Sequence, residues 1–102
     1  MDSKLLTALV AAFKRDGFGV AKGRDFVSLV SFRSMKNVYG IANIIDDALS
    51  GSNYTASVVD LDEASRREAI FEIRNYETGI VECVVHFVIH REYHDSMVLI
   101  FW

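Results

Sequence analysis

Three histidines recur at four-residue intervals late in the chain, His86, His90 and His94, and imidazole is the side chain best suited to bind a metal ion or move a proton near neutral pH. On a helix this interval would stack three rings on one face. The residues around His86 argue against a helix. Ile80 to Ile89 reads Ile-Val-Glu-Cys-Val-Val-His-Phe-Val-Ile, a short β-branched run that predicts a strand covered on both faces. Four residues of strand span about 13 Å, too far for His86 and His90 to share one ion at about 2 Å from each nitrogen. A metal would therefore need a loop site built from His90, His94 and Asp95. That loop, with the sheet face, is the basis of an alternative reading as a small metal-dependent enzyme or a small-ligand-binding protein. The plainer reading leaves the loop histidines solvated, and no metal or cofactor is assigned.

Other reactive groups are similarly dispersed. Glu82 and His86 share a strand face and could act as acid and base, but lie about 13 Å apart along the strand and would need help from other strands. Asp60 followed by Glu72-Ile-Arg74 has the rhythm of a metal-dependent nuclease with the lysine missing. Cys83 is the only cysteine; on the apolar strand face it reads as a buried small hydrophobe, and no internal disulfide can form. Gly17, Gly19 and Gly23 invite a phosphate-loop reading. The order there is helix, glycines, strand, whereas a phosphate cradle needs a helix amino terminus after the glycines. With no nucleophile elbow, zinc signature or phosphate loop, the balance is against an enzyme.

The elements that would carry these residues follow from periodicity. Leu5, Leu6, Leu9, Val10 and Phe13 recur at helical spacing, so residues 3 to 16 form an amphipathic helix, capped by Asp2 or Ser3 and ended by Gly17, with Phe18 folding back on Phe13. Phe18 to Ala21 and Asp25 to Phe32 predict a hairpin turned at Lys22-Gly23, although Phe26, Leu29, Val30 and Arg33 also fit a helical period. Met35, Val38, Ile41, Ala42, Ile45, Ala48 and Leu49 predict a second helix from Ser34, ended by Gly51, with Gly40 inside it suggesting a close approach.

Tyr54 to Leu61 alternates as a strand, with Tyr54, Ala56 and Val58 against Thr55, Ser57, Val59 and Leu61. Residues 66 to 78 fit either period, Ala69, Ile70, Ile73 and Tyr76 suiting a helix and Ala69, Phe71 and Ile73 against Glu68, Glu72 and Arg74 suiting a strand; the hairpin-like Asn75-Tyr-Glu-Thr-Gly79 selects the strand. Ser96 to Trp102 gives the last strand. The expectation is an α+β two-layer sandwich, in which a C-terminal four-stranded antiparallel meander carries two helices on one face.

The length of 102 residues suits one domain spanning residues 1–102, and no proline, repeat or low-complexity linker divides it. No window approaches the roughly 18 unbroken apolar residues of a membrane span, and the start lacks a secretory signal pattern. No membrane contact is expected, and a cytoplasmic location is. Charge is unevenly placed: residues 1 to 36 hold seven Lys or Arg and three Asp, a net of +4, while the remainder holds four Arg and eleven Asp or Glu, a net of −7. Nucleic-acid binding could use Lys14, Arg15, Lys22, Arg24, Arg33 and Lys36 of the basic third, but the acidic whole opposes it.

On the organising strand, Val81, Cys83, Val85, Phe87 and Ile89 form the core face. The opposite face mixes polar and aliphatic residues, and Val84 and Val88 there call for a cover. The expected contact surface of this protein-binding module is that mixed face: Ile70, Glu72, Arg74, Val84, His86, Val88, Val98, Ile100 and Trp102. Aromatic and Arg residues among aliphatics suit an interface core, and a homodimer is the expected partner arrangement. A second route to a protein partner is acidic: Asp46, Asp47, Asp60, Asp62, Glu63 and Glu68 could occupy a partner's nucleic-acid groove. That would give an accessory or inhibitory role of the phage or viral type.

Overall fold

The computed structural model describes residues 1–31, 37–65, 67–89 and 95–102. Its elements in order are α1 (Ser3–Arg15), β1 (Gly19–Lys22), β2 (Phe26–Ser31), α2 (Val38–Leu49), β3 (Tyr54–Leu61), β4 (Glu68–Asn75), β5 (Val81–Ile89) and β6 (Ser96–Phe101). The strands form one antiparallel sheet in the order β1-β2-β6-β5-β4-β3. The C-terminal meander is present as β3 to β6. The first hairpin does not stand apart from it, because β2 pairs along β6 and extends the meander to six strands.

Leu5, Leu9 and Phe13 of α1 and Ile41, Ile45 and Leu49 of α2 pack with Val27, Leu29, Phe71, Ile73, Val85, Phe87, Val98 and Ile100 of the sheet in one buried cluster. Both helices therefore cover the same sheet face. Burying each large aliphatic or aromatic side chain contributes about 1.5–3 kcal/mol, which makes this layer contact the main stabilising feature of the fold.

The ends of α1 are set locally. At its C-terminus the N–H of Phe18 donates to the Phe13 carbonyl at 3.1 Å and that of Gly17 to the Lys14 carbonyl at 3.0 Å, with Gly17 at φ 95°. This pair of bonds is the Schellman arrangement, which needs a left-handed residue best supplied by glycine. The Phe13 and Phe18 rings seal it edge to face, 5.2 Å between centroids.

At the N-terminus, Oδ1 of Asp2 accepts the Lys4 N–H at 2.9 Å, and Oδ2 accepts the Tyr54 hydroxyl at 3.0 Å, so the cap also ties α1 to β3. The Lys4 amide first, and the Tyr54 hydroxyl second, hold the Asp2 carboxyl below its ordinary value. The carboxylate in turn raises the Tyr54 phenol above 10.0. The Asp2 contribution to stability is thus present above the ordinary carboxylate range and fades as pH falls through the lowered folded value. The Tyr54 contribution is present below pH 10.0 and fades as pH rises through the raised one. Tyr54→Phe is expected to move the Asp2 titration, followed by NMR, upward; an unmoved titration would break the proposed coupling.

Three local expectations are revised. α2 starts at Val38 with Asn37 as its cap, accepting the Gly40 N–H at 2.9 Å, whereas Ser34 and Met35 fall outside the described residues. Gly40 consequently lies in the first turn, where a cap bond holds its backbone. The alternation of β3 breaks at a bulge between Val58 and Asp60, and Leu61 joins Tyr54 and Ala56 against the core. A second register shift between Ile73 and Arg74 pairs Arg74 with Val81, so Val81, expected on the core face, is only half-buried.

Candidate functional site

The sheet face opposite the helices is built by strand alternation. Cross-strand register sets three rows across β5, β6 and β2: Val84–Phe101–Phe26, His86–Leu99–Ser28 and Val88–Met97–Val30. The outer rows are apolar. Phe26 is 43% exposed, Met97 42% and Phe101 38%, and a shallow cavity of about 260 Å³ is lined by Ser28, His86, Val88, Met97 and Leu99. β4 adds Ile70 beside His86 and Glu72 beside Val84. An added Cβ on Gly23 would come within 2.1–2.6 Å of Phe26 ring carbons, so the absence of a side chain there makes room for the ring at the hairpin turn.

Charge on this face gathers toward β4. Nε2 of His86 lies 2.8 Å from Oε1 of Glu68, and Nη2 of Arg74 lies 3.5 Å from Oε1 of Glu72 while its Nη1 donates to the Gly79 carbonyl. The acidic partner of His86 is thus Glu68 of the neighbouring strand and not Glu82 of its own. Among the described residues no hydroxyl or thiol is bonded to this pair. Ser28 is two strands from His86, roughly 9.6 Å away, with Leu99 between them. Cys83 is on the other face, 2% exposed; burial, and then the neighbouring Glu82 charge, push its thiol up to about 12. At neutral pH that thiol is protonated and a poor nucleophile.

Of the residues expected at the contact surface, Arg74, Val84, His86 and Val88 do share this face. Ile100 and Val98 do not: they are 0% and 1% exposed, inside the helix-covered core. The correction is one of parity, since both sides of β6 are apolar and only its register with β5 decides which side meets the helices. Met97, Leu99 and Phe101 take the place assigned to Val98 and Ile100. Trp102 lies past the end of β6, 40% exposed, its backbone N–H donating to the Asp25 carbonyl at 3.4 Å.

The acidic residues do not form one patch. Asp46 and Asp47 sit exposed near the end of α2, before β3 begins, and Asp62 and Glu63 follow its other end, roughly 25 Å of strand later. Asp62 also has a local role, accepting the N–H of Ser65 at 3.2 Å and its hydroxyl at 2.6 Å. His90 and His94 lie outside the described residues. Among the described residues no group of three His, Cys, Asp or Glu is placed to hold a metal ion, and no helix is long and apolar enough to cross a membrane.

Phe26, Met97, Leu99, Phe101 and Glu68 were not legible as members of this surface from sequence. For β6 the period-2 pattern was visible but its phase was not, and Phe26 and Glu68 arrive through pairings between strands.

The molecule is thus an α+β sandwich of two layers with one sheet face left open by its helices. Comparison with protein-family models, with curated proteins and with solved structures finds no match to the chain.

Proposed function

We propose that this chain is a protein-binding module acting through the open face of its sheet, and that the same face of a second copy is its partner. The observation that carries the reading is the apolar band of β2, β6 and β5, where Phe26, Met97 and Phe101 keep about two-fifths of their surface exposed beside Val84, Leu99 and Val88. A band with its charges displaced to one flank resembles the core of a homodimer interface, which is more apolar than ordinary surface. Two-fold pairing needs only one such patch, because each copy supplies the complement of the other.

Sedimentation at tens of micromolar is expected to report a dimer. Met97→Glu, which would put a carboxylate into one of the apolar rows of the contact, is expected to weaken pairing at least a hundredfold, roughly 2.8 kcal/mol at 1.4 kcal/mol per tenfold, with an unchanged circular dichroism spectrum. A monomeric parent protein would overturn the self-pairing.

A further inference from the structure

A different surface lies on the helix side, at the sheet edge formed by β1. The Gly23 N–H donates to the Phe26 carbonyl at 2.9 Å and closes the β1–β2 hairpin. Bonded pairs alternate in an antiparallel ladder, so Gly19 and Ala21 exchange bonds with Val30 and Ser28 of β2. Val20 and Lys22 then turn their N–H and C=O groups away from the sheet, toward a position where a further strand would lie.

Beside that edge runs α1. Between the two is a groove of about 350 Å³ whose apolar lining comes from Leu6, Val10 and Ala11 and whose charged lining is Lys14 and Lys22. Leu6 and Val10 are only partly buried, so the core does not consume them. Among the described residues neither lysine forms an ion pair. An open strand edge next to a helix-walled apolar groove is the arrangement in which an extended peptide adds to a sheet, main-chain bonds supplying affinity and alternate side chains entering pockets.

We propose that β1 and the α1 groove bind an extended peptide segment of a partner protein that carries an aliphatic residue and, two positions away, an acidic one. Two residues is the spacing that puts both side chains on one face of a strand. The aliphatic side chain meets Leu6 and Val10, and the carboxylate meets the lysine ammonium groups. The cationic lining selects the acidic residue by charge complementarity, and the outward-facing backbone of Val20 and Lys22 selects an extended chain. This site lies on the opposite layer from the open face and does not depend on self-pairing.

The probe is a fluorescein-labelled peptide, Thr-Glu-Thr-Val-Thr-Glu-Thr, which presents the pattern in either strand direction. Fluorescence polarisation is expected to show saturable binding that falls at least tenfold when Lys14→Glu and Lys22→Glu are combined. The same loss is expected when lysines replace the glutamates of the peptide. Val20→Pro removes an outward N–H at an edge strand, where proline is tolerated, and should also lower binding at least tenfold, as should a peptide N-methylated at alternate residues. Leu99→Glu on the open face should leave binding intact, so a failure of self-pairing would not obscure the result. Absence of saturable binding, or binding indifferent to both the lysine reversals and the backbone blocks, overturns the proposal. Binding of laurate by a protein that ignores the peptide also overturns it and reassigns the groove to an anionic amphiphile.

Discussion

Ile100→Glu is expected to leave the protein unfolded at room temperature, while Leu99→Glu, one residue earlier, is expected to leave it folded. Ile100 is 0% exposed and belongs to the cluster shared with both helices. A carboxylate there finds no cation in the cluster and must either remain charged without a partner or take up a proton in an apolar setting. Either course costs several kcal/mol, in addition to the lost aliphatic packing. Domains of this size have total stabilities of about 5–15 kcal/mol, so one such change consumes most of the margin. Leu99 is half-buried on the open face and next to His86, where a glutamate reaches water at little cost to the fold. Urea titrations of both variants, with far-ultraviolet dichroism as the signal, check the contrast. A Leu99→Glu variant less stable than Ile100→Glu would mean that the phase of β6 is reversed.

Phe87→Ala is expected to lower stability by about 3–5 kcal/mol, whereas Val88→Ala should cost about 1 kcal/mol or less. Phe87 is 0% exposed in the middle of β5, with Ala69 on one side and Val98 on the other, both core residues. Truncation leaves a ring-sized hole bordered by strand backbone on two sides, which cannot close without disturbing the ladders. Val88 is half-buried on the other side of the same strand and lines the open cavity. The midpoints of thermal or denaturant unfolding measure the difference, and it is large enough to separate a two-faced strand from one covered equally on both sides.

Much of the architecture is legible in the sequence alone, because the relevant signals are local. The leucine spacing of α1 and the Gly17 and Phe18 stop describe a complete helix with its own termini, and the structure places it at Ser3–Arg15. The run around Cys83 and the hairpin-like Asn75 to Gly79 likewise contain enough information to give β4 and β5. In the loop, the Asn75 side chain accepts the Glu77 and Thr78 amides, and Gly79 adopts φ 77°. The phase of β6 was not available in this way. Met97, Val98, Leu99, Ile100 and Phe101 are all apolar, so alternation alone offers two equivalent answers. The choice depends on how β5 and β2 grip the strand. The Glu68 partner of His86 was hidden for the same reason, being 18 residues away in sequence and adjacent only through the β4–β5 register.

The pairing of β2 with β6 brings positions 26 and 101 side by side, and this governs the order in which the chain can assemble. During synthesis β2 leaves the ribosome long before the strand that completes its hydrogen bonding. Through that interval the nascent amino-terminal segment holds an unsatisfied ladder and a greasy surface at once, the condition in which growing polypeptides associate wrongly. The sheet closes only when the last strand arrives between β2 and β5, so the folding barrier includes the large entropy of joining distant parts of the chain.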